Sequence, residues 1–357
     1  MKITDVRTVL ADIPLPAPVT TAIHDIRSAG AVLVSVETDD GVTGEGIVFA
    51  MNGDRLDILD ETVRGLALGL AGRDPARVEA MWQDIYGADR GNDTVAALSA
   101  LDTACWDIVG KTLDWPLYRI FGASRDRVAT YASGGLWLSR SIDELVDEAR
   151  DFVAEGFRAM KLRVGNVRTE DDVERAAAVR EAIGPDVALM VDANQGFDAA
   201  QAIALGRALA PFDIGWFEEP VAATDRDGHA KVRAAVPMPV ASGENEFTRY
   251  GIRALIEAGG ADVLMPDLQR IGGLTEMRRA AALAAAHDLP VSTHIFTEQS
   301  LSLAGSAPNC MLVEHMPWFA PLYREKVVLE DGDLLMPTGP GLGFTFDPNA
   351  VERYRVG

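Results

Sequence analysis

The sequence is short of several things that whole classes of function require. It has only two cysteines, Cys105 and Cys310, in 357 residues, which build no disulfide framework and suit a reducing compartment. Basic side chains are outnumbered: 33 Lys and Arg face 54 Asp and Glu, a formal charge of −21. A chain that acidic repels phosphate backbones and anionic lipid, and no basic stripe offsets it, so neither nucleic acid nor a membrane surface is expected as a partner. No apolar run reaches the length of a membrane span, and the opening MKITDVRTVLADIPLP lacks a signal-peptide core; a cytoplasmic location is the expectation. Glycine and proline are too scattered for a low-complexity chain. No GxGxxG follows any strand pattern, which removes the main support for an open dinucleotide-binding sheet.

What is present is an ordinary globular composition, 48% hydrophobic and 24% charged, over a length that suits two domains. Residues 1–50 are rich in strand formers, with a hairpin signal at Asp39-Asp40-Gly41. Within them PAPVTTAIHDIRSAG, residues 16–30, reads as a loop long enough to act as a lid. Residues 54–122 change to helical spacing. Strands followed by helices predict an α+β domain over 1–125. From residue 126 to 320 short β-branched runs alternate with amphipathic segments: VATYASGG, AMKLRVG, ALMVDAN, GWFEEP, VASGEN, DVLMPD, PVSTHI and LVEHM. Eight such runs with intervening helices predict a parallel sheet closed into a (β/α)-type barrel. The tail, 321–357, holds no further unit and is expected to fold back on the first domain.

Barrel strands should be apolar, with polar residues at their C-terminal ends facing an active-site mouth. From the second run onward every one ends in an ionisable group: Lys161 and Arg163, Asp192, Glu218, Glu244, Asp267, His294 and Glu314. One such residue is an ordinary solvated strand end; seven consecutive strands are hard to explain that way. Asp192, Glu218 and Glu244 on adjacent strands would repel one another, and a hard divalent cation, Mg²⁺ or Mn²⁺, removes that conflict with oxygen ligands alone. Asp267 beside His294 can orient the imidazole and raise its basicity. Lys161 supplies a cation for developing negative charge, and Glu314 is a proton donor if burial raises its pKa. Metal, base and acid around one cavity suit removal of a proton next to a carboxylate.

Taken in order, Lys161-x-Arg163, Asp192-Ala-Asn-Gln, Phe217-Glu218-Glu219-Pro220, Gly243-Glu244-Asn245, Pro266-Asp267, Gly272-Gly273, Ser292-Thr293-His294 and Glu314 closely resemble the enolase superfamily, and the Asp–His pair resembles its mandelate racemase subgroup. The resemblance implies a (β/α)7β barrel with an N-terminal α+β capping domain and a homo-oligomeric enzyme. It also implies Mg²⁺ on Asp192, Glu218 and Glu244, a base dyad Asp267–His294, Lys161 on the substrate side, and Glu314 hydrogen-bonded to a substrate carboxylate. One departure matters. The subgroup commonly has Lys-x-Lys, its second Lys acting as a base opposite the His; Arg163 stands there and does not deprotonate at working pH. One-base dehydration of an acid sugar to a 2-keto-3-deoxy acid is therefore favoured over racemisation, epimerisation or cycloisomerisation through the same enolate. A barrel kept only for binding is the third reading, disfavoured by the intact ligand set and dyad.

Lesser candidates carry plainer readings beside them. Arg163 either contacts substrate or pairs with Asp192. Asn194 and Gln195 touch the site or cap the next helix. Ser133 bonds substrate oxygen or closes a turn. Arg27, in the expected lid, meets an anionic substrate or is a solvated loop charge, as His24 beside it is by default. Trp137 and Trp318 wall the cavity or fill core, and Glu219 supports its strand from the far side. His229, His287 and His315 are expected to be structural.

Overall fold

The computed structural model describes all 357 residues. Three antiparallel strands open the chain: β1 (Ile3–Thr20), β2 (Asp25–Thr38) and β3 (Thr43–Met51), in that order across the sheet. Residues 16–30 are thus not a loop. β1 and β2 pair across their lengths with a register shift between Pro14 and Val19, and the chain reverses only at residues 21–24. Alternating β-branched residues on both sides of the turn let the ladder continue where the prolines suggested a break.

The long helix Asn92–Leu113 lies across this sheet, its Ala-rich face buried. Contact is close because β3 carries Gly46 there: a Cβ at that position would sit 2.1 Å from the Ala100 carbonyl oxygen. Val32, Val34, Val48, Trp82, Leu98 and Leu101 share the resulting core.

Eight parallel strands follow: β4 (Arg127–Ala132), β5 (Ala159–Arg163), β6 (Ala188–Asp192), β7 (Ile214–Glu218), β8 (Val240–Ser242), β9 (Val263–Leu264), β10 (Val291–Ser292) and β11 (Cys310–His315). Each pairs with the next, and β11 pairs back onto β4, Glu314 opposite Tyr131, which closes the barrel. Two of the crossover helices start with reciprocal capping boxes, Ser141 with Glu144 and Asp198 with Gln201. Tyr131, Met190, Trp216, Ala241 and Met265 fill the barrel interior beneath the mouth.

The C-terminal segment does two things. The hairpin β12 (Leu329–Glu330) and β13 (Asp333–Leu335) adds to β4 in antiparallel register, an extension of the barrel sheet that the sequence pattern did not suggest. Beyond it the chain returns to the first domain. The Leu342 N–H donates to Asp107 Oδ1 (2.8 Å), the Phe346 N–H to Glu45 Oε2 (2.9 Å), and the Val356 N–H to the Leu10 carbonyl (2.9 Å). Cys105 and Cys310 are both free and buried. No helix is long and apolar enough to cross a membrane.

Candidate active site

Parallel register sets the site. Arg163 lies opposite Asp192, and Asp192 opposite Glu218, at the ends of β5, β6 and β7. Glu244 follows β8; Asp267 and His294, after β9 and β10, form a parallel bridge. Lys161, Asp192, Glu218, Asp267 and Glu314 are each 3% exposed or less, and Glu244 and His294 are nearly as buried. Lys161, Arg163, Asp192, Glu244, His294 and Glu314 all line one cavity between the barrel mouth and the capping hairpin.

The Lys161 ammonium stands among three acids: 2.5 Å from Glu218 Oε1, 2.9 Å from Glu314 Oε1 and 3.3 Å from Asp192 Oδ2. Burial alone would lower its pKa, but Glu218, Glu314 and Asp192 outweigh burial and hold it charged. Burial pushes Glu218 up to about 8, with Lys161 opposing and Asp192, Glu314 and Glu244 adding to the rise. Glu314 goes the other way. Burial opposes its ionisation, yet Lys161, His294, Arg163 and the Ser133 hydroxyl hold it well below the usual carboxylate range. Both its oxygens accept hydrogen bonds, from Ser133 Oγ (2.6 Å) and from the Ile295 N–H (2.5 Å). The expectation that burial makes Glu314 a proton donor is therefore corrected: its cationic neighbours keep it ionised.

His294 Nδ1 lies 2.7 Å from Asp267 Oδ2, and His294 Nε2 lies 3.2 Å from Glu244 Oε2. Burial disfavours the imidazolium, but Glu244, the Asp267 hydrogen bond and Glu314 raise the imidazole to about 9. Asp267 also accepts from the Arg270 N–H (2.8 Å), capping the short helix Leu268–Ile271. The ring is thus held in one orientation with Nδ1 committed to Asp267.

Arg163 is fixed. Its Nη1 and Nη2 donate to the Ser133 carbonyl (3.1 Å) and hydroxyl (3.0 Å), its guanidinium lies 4.4 Å from the Trp137 ring centroid, and its Nε is 3.6 Å from Asp192 Oδ2. It pairs with Asp192 and also lines the cavity. Ser133 faces Glu314 and Arg163 rather than the cavity. Asn194 lines the cavity, its Nδ2 donating to Asp192 Oδ2 (3.1 Å) and its Oδ1 left without a partner. Glu219 points away and accepts from Ser242 Oγ (2.6 Å), the Gly243 N–H (3.2 Å) and Asn245 Nδ2 (3.2 Å), steadying the segment that carries Glu244.

Could these residues hold a cation? Five buried carboxyl groups (Asp192, Glu218, Glu244, Asp267 and Glu314) face two buried permanent cations, Lys161 and Arg163, and one imidazole. Glu244 Oε2 has no hydrogen-bond donor of good geometry. No three acid or histidine side chains already close into a chelating cluster; Lys161 takes the central position between the acids. The all-oxygen donor set and the surplus of buried negative charge nonetheless fit a hard divalent ion at Asp192, Glu218 and Glu244.

Other expectations are corrected or completed. Arg27 is exposed and absent from the cavity wall; strand alternation turns Ile26 inward and Arg27 outward. His24, at the hairpin turn, is the residue of that segment that reaches the site together with Thr21, Ile23 and Ile26. Trp137 and Trp318 stack at 6.1 Å and wall the cavity while remaining 3% and 9% exposed. His315 packs on Phe157, away from the mouth. Missed in the sequence were Phe49, Met51, Asn245 and Arg270, all lining the cavity. Arg270 had a signal, three residues after Asp267; Phe49 and Met51 had none, because only the docking of the cap brings them there.

Residues 3–122 match the family described as Mandelate racemase / muconate lactonizing enzyme, N-terminal domain, and residues 144–350 match Enolase C-terminal domain-like. Over its whole length the chain is 35% identical to a D-galactarolactone cycloisomerase of Agrobacterium fabrum, covering 99% of that protein. It is 32% identical to an L-talarate/galactarate dehydratase of Salmonella typhimurium, over 96% of this chain and 88% of that one. Among solved structures it resembles a racemase from Streptomyces coelicolor with bound magnesium, with a TM-score of 0.94 and 34% identity over 99% of this chain and 100% of that chain.

Proposed function

Because the chain belongs to the mandelate racemase / muconate lactonizing enzyme family of the enolase superfamily, we propose that it abstracts the proton α to the carboxylate of an acid sugar and dehydrates the product to a 2-keto-3-deoxy acid. The observation that carries this reading is the arrangement of one mobile-proton base and one immobile cation. His294 is oriented by Asp267 at 2.7 Å, while Arg163 is tied to Ser133 and Trp137 and stays protonated. The residues that would hold Mg²⁺, or Mn²⁺, are Asp192, Glu218 and Glu244, and the ion would supply Lewis-acid stabilisation of charge developing on the substrate carboxylate.

In its neutral form His294 takes the proton from C2 through Nε2, with Nδ1 held by Asp267. Lys161, kept charged by its three acid neighbours, attracts the substrate carboxylate and steadies the enediolate oxygens. Glu314 holds Lys161 and Ser133 in place. The proton on His294 then passes to the C3 hydroxyl, which leaves as water, and the enol relaxes to the keto acid. No second base is needed. Trp137 and Trp318 shield the reacting face from water.

In this reading the barrel, 126–320, is the catalytic unit; the cap, 1–125, closes it and the tail, 321–357, straps the two together. The enzyme works in the cytoplasm as a homo-oligomer. A second outcome, cycloisomerisation, is supported by the 35% identity to a cycloisomerase. The test is proton NMR in D₂O with Mg²⁺ and a panel of acid sugars and their lactones. Conversion to a keto acid supports dehydration, lactone rearrangement supports the second outcome, and deuterium uptake with substrate retained points to an epimerase. Mg²⁺ should raise the melting temperature by binding the folded state; an unchanged melting temperature with full activity in chelator would sink the metal assignment.

A further inference from the structure

The cavity over His294 is small, about 70 Å³, well under the ~300–1,000 Å³ of pockets that enclose a drug-sized ligand. A second cavity of about 450 Å³ adjoins it, and His24, Phe49, Met51 and Arg270 belong to both walls. An acid sugar that presents C2 to His294 must therefore extend its far end past Arg270 into the outer cavity. What the far end meets there is a guanidinium that forms no ion pair, although its charge acts on Asp267.

The other Lys and Arg side chains of the two cavities are paired. Lys161 has three carboxylates, Arg163 has Asp192 at 3.6 Å, and Arg55 has Asp93 at 2.6 Å. Arg270 takes part in no ion pair; its one side-chain hydrogen bond runs from Nη1 to the Glu244 carbonyl at 3.2 Å. Most of its five N–H donors are thus unused by the protein. Its backbone is anchored all the same, because its N–H caps onto Asp267 at 2.8 Å. A half-buried, anchored and unpaired guanidinium at the junction of two cavities is a receptor for a planar anion, which it can grip through two parallel hydrogen bonds. The surrounding protein carries a charge of −21, so a doubly charged substrate gains entry only where such a cation offsets the repulsion.

We propose that Arg270 binds a second, distal carboxylate, so that the enzyme prefers dicarboxylic acid sugars to monocarboxylic ones. This rests on the acid-sugar reading above and narrows its substrate class. The test compares galactarate and galactonate, which share configuration and differ only in a carboxylate or a hydroxymethyl group at C6. Wild-type protein should favour the diacid in kcat/KM. Arg270→Gln should lower kcat/KM for the diacid about 10- to 100-fold more than for the monoacid, mainly through KM, and Arg270→Lys should recover part of the loss by keeping the charge. An equal loss with both substrates would mean that Arg270 only steadies Asp267, and a wild type indifferent to the C6 group would overturn the proposal outright. If neither sugar is turned over, the dehydratase reading fails separately. Calorimetric titration of the Mg²⁺-loaded protein then decides: tighter diacid binding that Arg270→Gln removes upholds the anion site, and equal binding of the two acids refutes it.

Discussion

At the barrel mouth each functional side chain is held by another charge, whereas on the capping hairpin it is held by shape. Lys161 is locked by Glu218 and Glu314 within 2.9 Å, and His294 by Asp267. Across the cavity the hairpin and β3 present Thr21, Ile23, His24, Ile26, Phe49 and Met51, with one ionisable group among them and Ile23 still 48% exposed. Shifting one buried charge at the mouth disturbs every other, because Coulomb forces are strong where water is excluded. A changed hairpin side chain alters only local contacts. Change at the mouth is therefore expected to cost more than change on the hairpin.

The largest effect that can break this contrast is at the base. His294→Asn should cut turnover and C2 proton exchange in D₂O by about 10²- to 10⁴-fold. Exchange of either epimer persisting near the parental rate, followed by NMR, would show a second base and remove the one-base mechanism.

Next is Lys161→Met, which keeps the length of the side chain but leaves Glu218, Glu314 and Asp192 without their central cation. Breaking a buried pair by removing one partner costs about 3–5 kcal/mol, to be read from urea unfolding. A loss under ~1 kcal/mol would mean that the mouth is not held by charge.

The hairpin should respond differently. Ala22 wedges against Gly165 and Gly196, where an added Cβ would lie 2.5 and 2.6 Å from its methyl group; Gly165 also has φ +126°. Gly165→Ala is expected to lift the hairpin and raise KM about tenfold with kcat changed far less, a cost of ~1–3 kcal/mol. Adding Ala22→Gly should recover part of the KM. A kcat loss matching the KM rise would show that the hairpin shapes the chemistry as well.

The smallest effect is a control at a side chain that points away from the mouth, packed on Phe157. Burial lowers His315 from its ordinary value to about 4. The unfolded chain then takes up a proton near pH 6.5, before the folded one does. The stabilising contribution is full above that pH and is lost as pH falls toward 4, about 1–2 kcal/mol by pH 5. In His315→Gln the change in unfolding free energy between pH 7 and pH 5 should be smaller by that amount, with steady-state kinetics unaltered. Identical pH dependence in variant and parent would show that His315 is not held neutral.

By itself the sequence determined the barrel and the identity of its polar strand ends. Both depend on local pattern: apolar runs of strand length between helices, each ended by a polar residue that register must place at the same rim. The capping hairpin defeated that approach, since Pro14, Pro16 and Pro18 read as breaks in a ladder that continues past them, and with the strand unrecognised Arg27 could not be assigned its outward face. Tertiary structure alone decided which charges meet. Glu314 is an ionised acceptor rather than an acid because Lys161, 153 residues away in sequence, lies 2.9 Å from it. Arg270 forms no ion pair because the acids near it are engaged elsewhere, Glu244 and Asp267 by His294 and Asp93 by Arg55. A side chain's protonation and partners depend on distances across the fold, and no spacing along the chain encodes those.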